Sequence, residues 1–571
     1  MRQCHRTVLI FAVSLIKVGT IAQAQVDELT LGRYQRAEML AKHRILYVGL
    51  LLLLLFSASG QIGHAAAFNL ETATIADINA AFEAGALTSE KLIQMCLKRI
   101  EAYDQQGPRL NTIITLNPRA LEQARALDAE RSRSGPRSPM HGVPIVVKDL
   151  IDTHDMPTTA GFLPMASSQP WRDAFVIDRL RQAGAIILAK VNLSDWFGQA
   201  SSPSGASTVA GQVQNPYKLG YDAGGSSTGT AVAVAAYFAV AGLGTETGTS
   251  VRNPASQNNL FGLVPTQGLV SRGGVLCNSF TVDRVGPMAR SVYDLAVVLS
   301  SMVGFDPEDL LSQESIGNIP ARGYTPFVVK DGLKGARLGV LRDLFSNTPH
   351  DQEGLALIEA AIAQIKGEGA LVMDPVTTNL DLFMSLRSVG ISRFEKKSAT
   401  KMYLDRLGPR RIFNNLGEMI DQYPDLVKPR QLSQNKVEAL DQDRPYAAHL
   451  KARKVFRKLM VELMDRYALD ALIYPFRTLP GWKISDKMTS SDWYERSGVN
   501  AYNPLSPITG LPALVVPAGF TLEGLPIALE FLGRPFSEPT LIHLAAGYEQ
   551  STDHRRTPPN TPPLEGEIIR Y

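Results

Sequence analysis

The chain has 571 residues, 45% of them apolar and 20% charged, which is ample material for a large hydrophobic core. Its 58 Lys and Arg residues nearly balance 55 Asp and Glu residues, so the composition gives no reason to expect a nucleic-acid partner. Cys4, Cys96 and Cys277 are too few for a disulfide framework, and the histidines and cysteines lack metal-ligand spacing. We therefore expect no cofactor and no metal.

The sequence indicates an export signal before residue 68. Residues 45–56 form an almost uninterrupted apolar run, the basic residues 42–44 precede it, and the small residues 65–67 follow it. This order is typical of a secretory signal peptide. The run is shorter than the roughly 20 residues of a membrane-spanning helix, so an uncleaved anchor is the less favoured alternative. We expect an exported protein, periplasmic or extracellular, without stable membrane anchoring.

A second apolar stretch, residues 8–18, lies upstream of this signal. Two signals in tandem make little physical sense, and Met39 stands just ahead of the second one. We therefore expect translation to start at Met39, which makes residues 1–38 an upstream extension. Residues 39–67 would then be the signal peptide, and residues 68–571 the mature domain.

From Phe68 onward, helical and strand patterns alternate. Helices are predicted at 75–84, 89–103, 118–131, 351–366 and 436–465, and short buried strands at 143–147, 185–189, 470–474 and 514–517. This alternation favours an α/β fold, with a single large domain whose mixed β-sheet core is covered by helices on both faces. Residues 305–330 are predicted to be a loop, about 380–460 an inserted helical region, and 555–563 an extended tail.

Two glycine-rich loops carry the serines of most interest. Residues 224–229 read Gly-Gly-Ser-Ser-Thr-Gly, and residues 244–254 include Ser250. The alanine-rich segment 230–241 between them is predicted to be a small helix, or a helix and a strand, that brings both loops to one point. Backbone N–H groups and hydroxyls would converge there, as a site for a developing oxyanion requires.

Lys148 and Lys190 each lie at the C-terminal end of a predicted buried strand. Because burial disfavours the charged form, such a lysine can act as a neutral base near pH 7. The alternative is a structural ion pair with a neighbour such as Asp149 or Asp152. Strand position alone does not choose between the two lysines.

Ser227 lies at the centre of a G-x-S-x-G pentapeptide, the pattern of a nucleophile elbow in Ser-His-Asp hydrolases. The structural alternative is a turn whose hydroxyls cap the following helix. A phosphate-binding loop is excluded because Thr230 stands where that motif needs lysine. Glu246 is interpreted as a structural acceptor, with Arg252 as its ion-pair partner.

Several motifs in one order make the chain resemble the amidase signature family from about residue 70 to the C-terminus. They are Gly224–Ser227, Gly248–Ala255, His141–Pro144 with Lys148 and Asp149, Gly184–Asp195, and the stretch from Thr509 to Gly533. Residues 530–535 and 555–559 are further similar to bacterial peptide amidases within that family.

The resemblance implies amide C–N bond hydrolysis by a Ser–cisSer–Lys triad through an acyl-enzyme, releasing ammonia or an amine from a carboxamide. By motif position Ser250 is the nucleophile, Ser226 the bridging serine in a cis peptide, and Lys148 the base. Lys190 falls on a position without a catalytic role. We expect a small-molecule or peptide amide as substrate, and a homodimer is one oligomeric state open to the chain.

The same resemblance implies an oxyanion hole formed by the backbone N–H groups of Thr247, Gly248 and Thr249. Two residues depart from the usual family pattern. Thr249 replaces a common glycine, and a β-branched residue tolerates positive φ poorly. Glu246 stands where aspartate is common. Neither change removes a member of the predicted triad.

Three other functions are open at this point. The first is the amidotransferase A subunit, whose core is similar and which transfers ammonia for tRNA charging. That reaction takes place in the cytosol, so the export signal argues against it. An exported, non-catalytic binding protein could share the fold, and Ser227 could serve a Ser-His-Asp esterase.

Overall fold

A mixed β-sheet of eleven strands forms the centre of the fold. The computed structural model describes residues 67–196, 204–346, 348–486 and 503–571. The predicted upstream extension and almost all of the predicted signal peptide lie outside the described residues. Residues 67–571 form one compact unit.

The strands and helices are numbered in chain order. The strands are β1 Ala67–Asn69, β2 Ile113–Leu116, β3 Pro144–Lys148, β4 Ile186–Val191, β5 Ala206–Ser207, β6 Gly211–Gln212, β7 Ala241–Glu246, β8 Phe261–Val264, β9 Arg284–Ala289, β10 Arg337–Leu341, β11 Leu371–Val376, β12 Ala471–Arg477, β13 Ala513–Phe520, β14 Pro526–Leu532 and β15 Ile568–Arg570. The helices are α1 Ile75–Glu83, α2 Ser89–Ile100, α3 Ala120–Ser134, α4 Phe175–Gln182, α5 Thr228–Ala235, α6 Arg252–Gln257, α7 Val292–Met302, α8 Gln352–Gly367, α9 Leu382–Arg387, α10 Ser392–Leu407, α11 Leu416–Gln422, α12 Pro429–Asn435, α13 Arg444–Arg466, α14 Leu505–Thr509 and α15 Glu538–Ser551.

The strand order in the large sheet is β11-β10-β12-β14-β13-β8-β9-β7-β3-β4-β2. Strand β3 runs parallel to both β4 and β7, and β10 runs parallel to β11 and β12. The strands between these two parallel groups pair in antiparallel fashion. The mixed sheet predicted from the alternating pattern is therefore confirmed.

Each face of the sheet has its own hydrophobic core, because successive strand residues point to opposite sides. On β3, Ile145 and Val147 pack into one cluster with α1, α4, α7, α8 and α15. Val146 packs into another cluster with α2, α3 and α5. Helices therefore cover both faces, as the sequence predicts.

Most of the predicted elements are present, with shifted boundaries. Helix α1 begins with a capping box, in which Thr74 and Asp77 bond each other's backbone N–H groups. The helix predicted from 436 begins only at Arg444, because Asp443 caps it and Pro445 occupies its first turn. Residues 380–460 contain five helices, α9 to α12 and most of α13. Across the described ranges, no helix is long and apolar enough to cross a membrane.

Candidate active site

Lys148 is the last residue of β3 and is buried, with 1% of its surface exposed. Its Nζ donates a hydrogen bond to Ser226 Oγ at 2.7 Å and a longer one to the Thr245 carbonyl oxygen at 3.3 Å. Burial lowers the pKa of Lys148 to about 7, while Asp283 and Glu246 favour its charged form. A neutral amine is therefore accessible near neutral pH.

The parallel pairing of β3 and β7 brings the end of β3, where Lys148 lies, beside the loop that contains Ser250. Ile145 pairs with Ala241 and Val147 with Leu243, so both strands end at the same edge of the sheet. Helix α5 lies between them in sequence and packs on both strands. The small helix predicted for segment 230–241 is present as α5, which begins at Thr228, and β7 follows it from Ala241.

The two serine loops are joined by direct backbone contact. The Ser227 N–H donates to the Ser250 carbonyl oxygen at 3.1 Å, and the peptide bond from Gly225 to Ser226 is cis, as the resemblance implies. Gly224 lies so close to the second loop that a side chain would meet the Asn253 carbonyl oxygen at 2.9 Å. Glycine is required at this approach because no Cβ fits.

The side chain of Glu246 fixes the loop that contains Ser250. Its Oε2 accepts hydrogen bonds from the N–H groups of Val251 and Arg252, at 3.0 and 3.1 Å. The Arg252 guanidinium binds Glu246 Oε1 and donates to the Gly248 carbonyl oxygen, both at 2.8 Å. The predicted structural role of Glu246 and its pairing with Arg252 are both present.

This arrangement orients the backbone amides of the same loop. The Gly248–Thr249 peptide is trans, so the Thr249 N–H points away from the carbonyl oxygen that Arg252 binds. Among the described residues, none accepts a hydrogen bond from the N–H groups of Thr247, Gly248 or Thr249. Within that part of the chain, three backbone donors near Ser250 are thus unpaired. Thr249 lies outside the positive-φ region, so its β-branched side chain fits this backbone.

Ser227 differs from the two other serines in burial and in partners. It is fully buried, and its hydroxyl donates to the Thr245 carbonyl oxygen at 3.2 Å. Ser226 and Ser250 are both partly exposed. A nucleophile must reach substrate, so the geometry does not favour the elbow interpretation of Ser227.

Lys190 forms the structural ion pair that the strand pattern allowed for either lysine. Its Nζ lies 2.8 Å from Asp149 Oδ1, and both side chains are fully buried. It also donates to Thr158 Oγ1 at 2.9 Å. Lys148 and Lys190 therefore have different partners, which local sequence alone did not reveal.

Several residues around the site were missed by sequence reasoning. Arg252 also binds the buried Glu530 at 2.7 Å, and the Tyr474 hydroxyl donates to Glu530 at 2.8 Å. A glutamate within the apolar strand 526–532 was the available signal for this pair. Asp283 is buried as well, and burial raises its pKa to about 6, opposed by hydrogen bonds from Thr247 and nearby backbone N–H groups.

Comparison with known proteins identifies the family. The Amidase family model matches residues 91–542. The chain belongs to the amidase signature family. It is 34% identical to a protein of Arabidopsis thaliana described as a probable amidase, over 89% of this chain and 95% of that one. The amidase signature fold and the amide-hydrolysing activity predicted from the sequence are therefore confirmed, and a purely non-catalytic binding protein is not favoured.

Two further relatives bear on the kind of amidase. The native peptide amidase from Stenotrophomonas maltophilia is 36% identical, with a TM-score of 0.76 over 85% of this chain and 98% of that one. The A subunit of the glutamyl-tRNA(Gln) amidotransferase from Halorhodospira halophila is 33% identical, over 85% of this chain and 98% of that one. Sequence identity alone therefore does not separate these two branches of the amidase signature family.

Proposed function

We propose that this amidase hydrolyses carboxamides by the relay Lys148–Ser226–Ser250. The observation that carries the proposal is the 2.7 Å hydrogen bond between the buried Lys148 Nζ and Ser226 Oγ. A lysine held neutral by burial can accept a proton from a hydroxyl only where it touches that hydroxyl.

In the first half of the reaction, neutral Lys148 takes the Ser226 proton while Ser226 takes the Ser250 proton. The Ser250 oxygen attacks the amide carbonyl carbon, and the N–H groups of Thr247, Gly248 and Thr249 bind the negative oxygen that forms. The proton held by Lys148 passes back through Ser226 to the leaving nitrogen. The C–N bond breaks, ammonia or an amine departs, and Ser250 carries the acyl group.

In the second half, water replaces the amine. The relay removes a proton from water, the hydroxide oxygen attacks the acyl carbon, and the ester bond to Ser250 breaks. The carboxylic acid leaves, and Ser250 regains its proton. The three backbone donors bind the oxyanion in both halves.

The proposed substrate is a small-molecule or peptide carboxamide, and the proposed place of action is outside the cytoplasm. Similarity to the Stenotrophomonas maltophilia peptide amidase supports the substrate class. The apolar run 45–56, with its basic and small flanks, supports export. An amidotransferase A subunit is the alternative, supported by similar identity to those proteins.

Two measurements test the proposal. Ammonia release from a peptide with a C-terminal carboxamide by the purified chain alone supports a hydrolase, whereas activity only after addition of a partner protein supports the amidotransferase alternative. Ser250→Ala should lower the rate by at least about 10³-fold. Ser227→Ala should lower it much less, and the reverse order would overturn the assignment.

A further inference from the structure

Lys396 is a buried lysine that reaches from the helical region to Trp196 and Asn278. It lies on α10, with 2% of its surface exposed. Its Nζ donates to the Trp196 carbonyl oxygen at 2.8 Å and to Asn278 Oδ1 at 2.9 Å. The same nitrogen lies 3.6 Å from the centre of the Trp196 ring. Burying such a group is costly unless its donors are satisfied, and here they are.

The contact with Lys396 determines how the Asn278 amide is oriented. The amide turns its oxygen toward Lys396, where Oδ1 accepts the hydrogen bond from Nζ. The Asn278 nitrogen therefore faces the other way, where Nδ2 donates to Thr247 Oγ1 at 3.3 Å. The Asn278 backbone N–H also donates to Asp283 Oδ2 at 2.7 Å. Asn278 thus links Lys396 to Thr247, the first of the three predicted oxyanion donors.

The residue beside Lys396 holds the same segment at a second point. Glu395 is fully buried, and its carboxylate accepts hydrogen bonds from the hydroxyls of Ser279 and Thr281. It also accepts from the Thr281 N–H at 3.1 Å and from the Tyr446 hydroxyl at 2.5 Å. Helix α10 therefore holds residues 278–283 through two adjacent side chains. The same residues contact the loop that contains Ser250.

We propose that the series of side-chain contacts Lys396–Asn278–Thr247 positions the oxyanion donors. Lys396 is a positioning residue that does not touch the substrate. This inference rests on the proposed function. Thr247 is the first of the three backbone donors, and its side chain is held by Asn278. Such donors must lie about 2.7–3.1 Å from the developing oxyanion, and a displacement of about 1 Å can cost about 10²-fold in rate.

The test is a double-mutant cycle between Lys396→Met and Asn278→Leu, with ammonia release from a peptide carboxamide as the readout. Each variant should lower kcat roughly 10- to 100-fold while KM changes by less than about two-fold, because the oxyanion contact forms in the transition state. The double variant should be no slower than the slower single variant, because both substitutions interrupt the same series of side-chain contacts. Lys397→Met is the matched control on the same helix, and its kcat should equal that of the native enzyme.

A second cycle keeps the inference testable if Lys396→Met fails to fold. Thr247→Val removes the hydroxyl that Asn278 binds, whereas Thr247→Ser retains it. Thr247→Val should lower kcat, and its loss should be less than additive with that of Asn278→Leu, because the Thr247 hydroxyl also bonds to Asp283. Thr247→Ser keeps the hydroxyl and should lower kcat less than Thr247→Val does. Unchanged kcat in folded Lys396→Met or Asn278→Leu, or fully additive losses in either cycle, would overturn the inference. A fully active Ser250→Ala would instead overturn the proposed function, so the two failures are distinct.

Discussion

At the scale of single residues, the protonation state of Lys148 controls the proposed chemistry. Burial lowers its pKa to about 7, and the attraction of Asp283 and Glu246 limits that fall. Below this pKa the ammonium cannot accept the Ser226 proton. Above it the amine is neutral and the relay can start.

We therefore predict that kcat/KM rises as the pH increases through about 7 and levels off above it. Asp283→Asn removes the leading charge that favours the ammonium, so the rising limb should move to lower pH. The measurement is a pH–rate profile on an uncharged carboxamide substrate. A rate that falls with increasing pH between 6 and 8 would contradict this role of Lys148. So would a rising limb that moves to higher pH in Asp283→Asn than in the native enzyme.

At the scale of elements, the turn from β7 to α6 depends on buried side chains of opposite charge that pair with one another. Arg252 joins Glu246 at the end of β7 to Glu530 on β14, and all three side chains are fully buried. Removing one member of such a group leaves uncompensated charge in the interior. The loop with Ser250 is thus stabilised by contacts to two separate strands.

We predict that Arg252→Met lowers the free energy of unfolding by about 3–5 kcal/mol. The control is Arg125→Ala, which cuts the exposed ion pair with Glu90 and should cost less than about 1 kcal/mol. Urea unfolding followed by circular dichroism measures both. Equal, small losses for the two variants would show that the buried group does not stabilise this turn.

Gly229, near the start of α5, provides a second prediction at this scale. A Cβ there would lie 2.6 Å from the Asn192 backbone nitrogen and closer still to its carbonyl oxygen. We predict that Gly229→Ala forces α5 away from the end of β4 and lowers both the melting temperature and kcat. Gly367→Ala is the control, because a Cβ there meets nothing within 4 Å, and alanine should stabilise α8 by up to about 1 kcal/mol. A Gly229→Ala enzyme with native stability would refute this packing.

At the scale of the whole molecule, the sequence predicted continuous apolar strands better than strands interrupted by glycine or proline. Strands β3 and β4 are continuous apolar runs that contain a lysine at or near their ends, so their pattern was clear. Strands β8 and β9 contain Gly262, Gly286 and Pro287, which weaken a strand pattern, and they were missed.

The same contrast applies to the site. The order of the motifs in the sequence indicated Lys148, Ser226 and Ser250 as the catalytic triad. The structure brings Lys148 and Ser226 into contact. The partners Glu530 and Asn278 lie far away in sequence, 278 residues from Arg252 and 31 from Thr247. Local spacing carries no information about contacts of that kind, which depend on how the sheet and α10 pack.

Export also belongs to this scale. We predict that the mature protein begins near residue 68, after cleavage of a signal that starts at Met39. Mass spectrometry of the protein recovered from the periplasm or culture medium measures this. A peptide from residues 1–38 in the mature protein would contradict the predicted start, and an intact segment 45–56 would favour the uncleaved anchor.

The identity of the attacking nucleophile, proposed to be Ser250, can be measured directly. A serine-reactive fluorophosphonate, followed by proteolysis and mass spectrometry, identifies the labelled residue. We predict one adduct on Ser250, retained in Ser227→Ala and strongly reduced in Lys148→Met, where the base is missing. An adduct on Ser227, or full amidase activity after Ser250 has been labelled, would contradict the proposed mechanism.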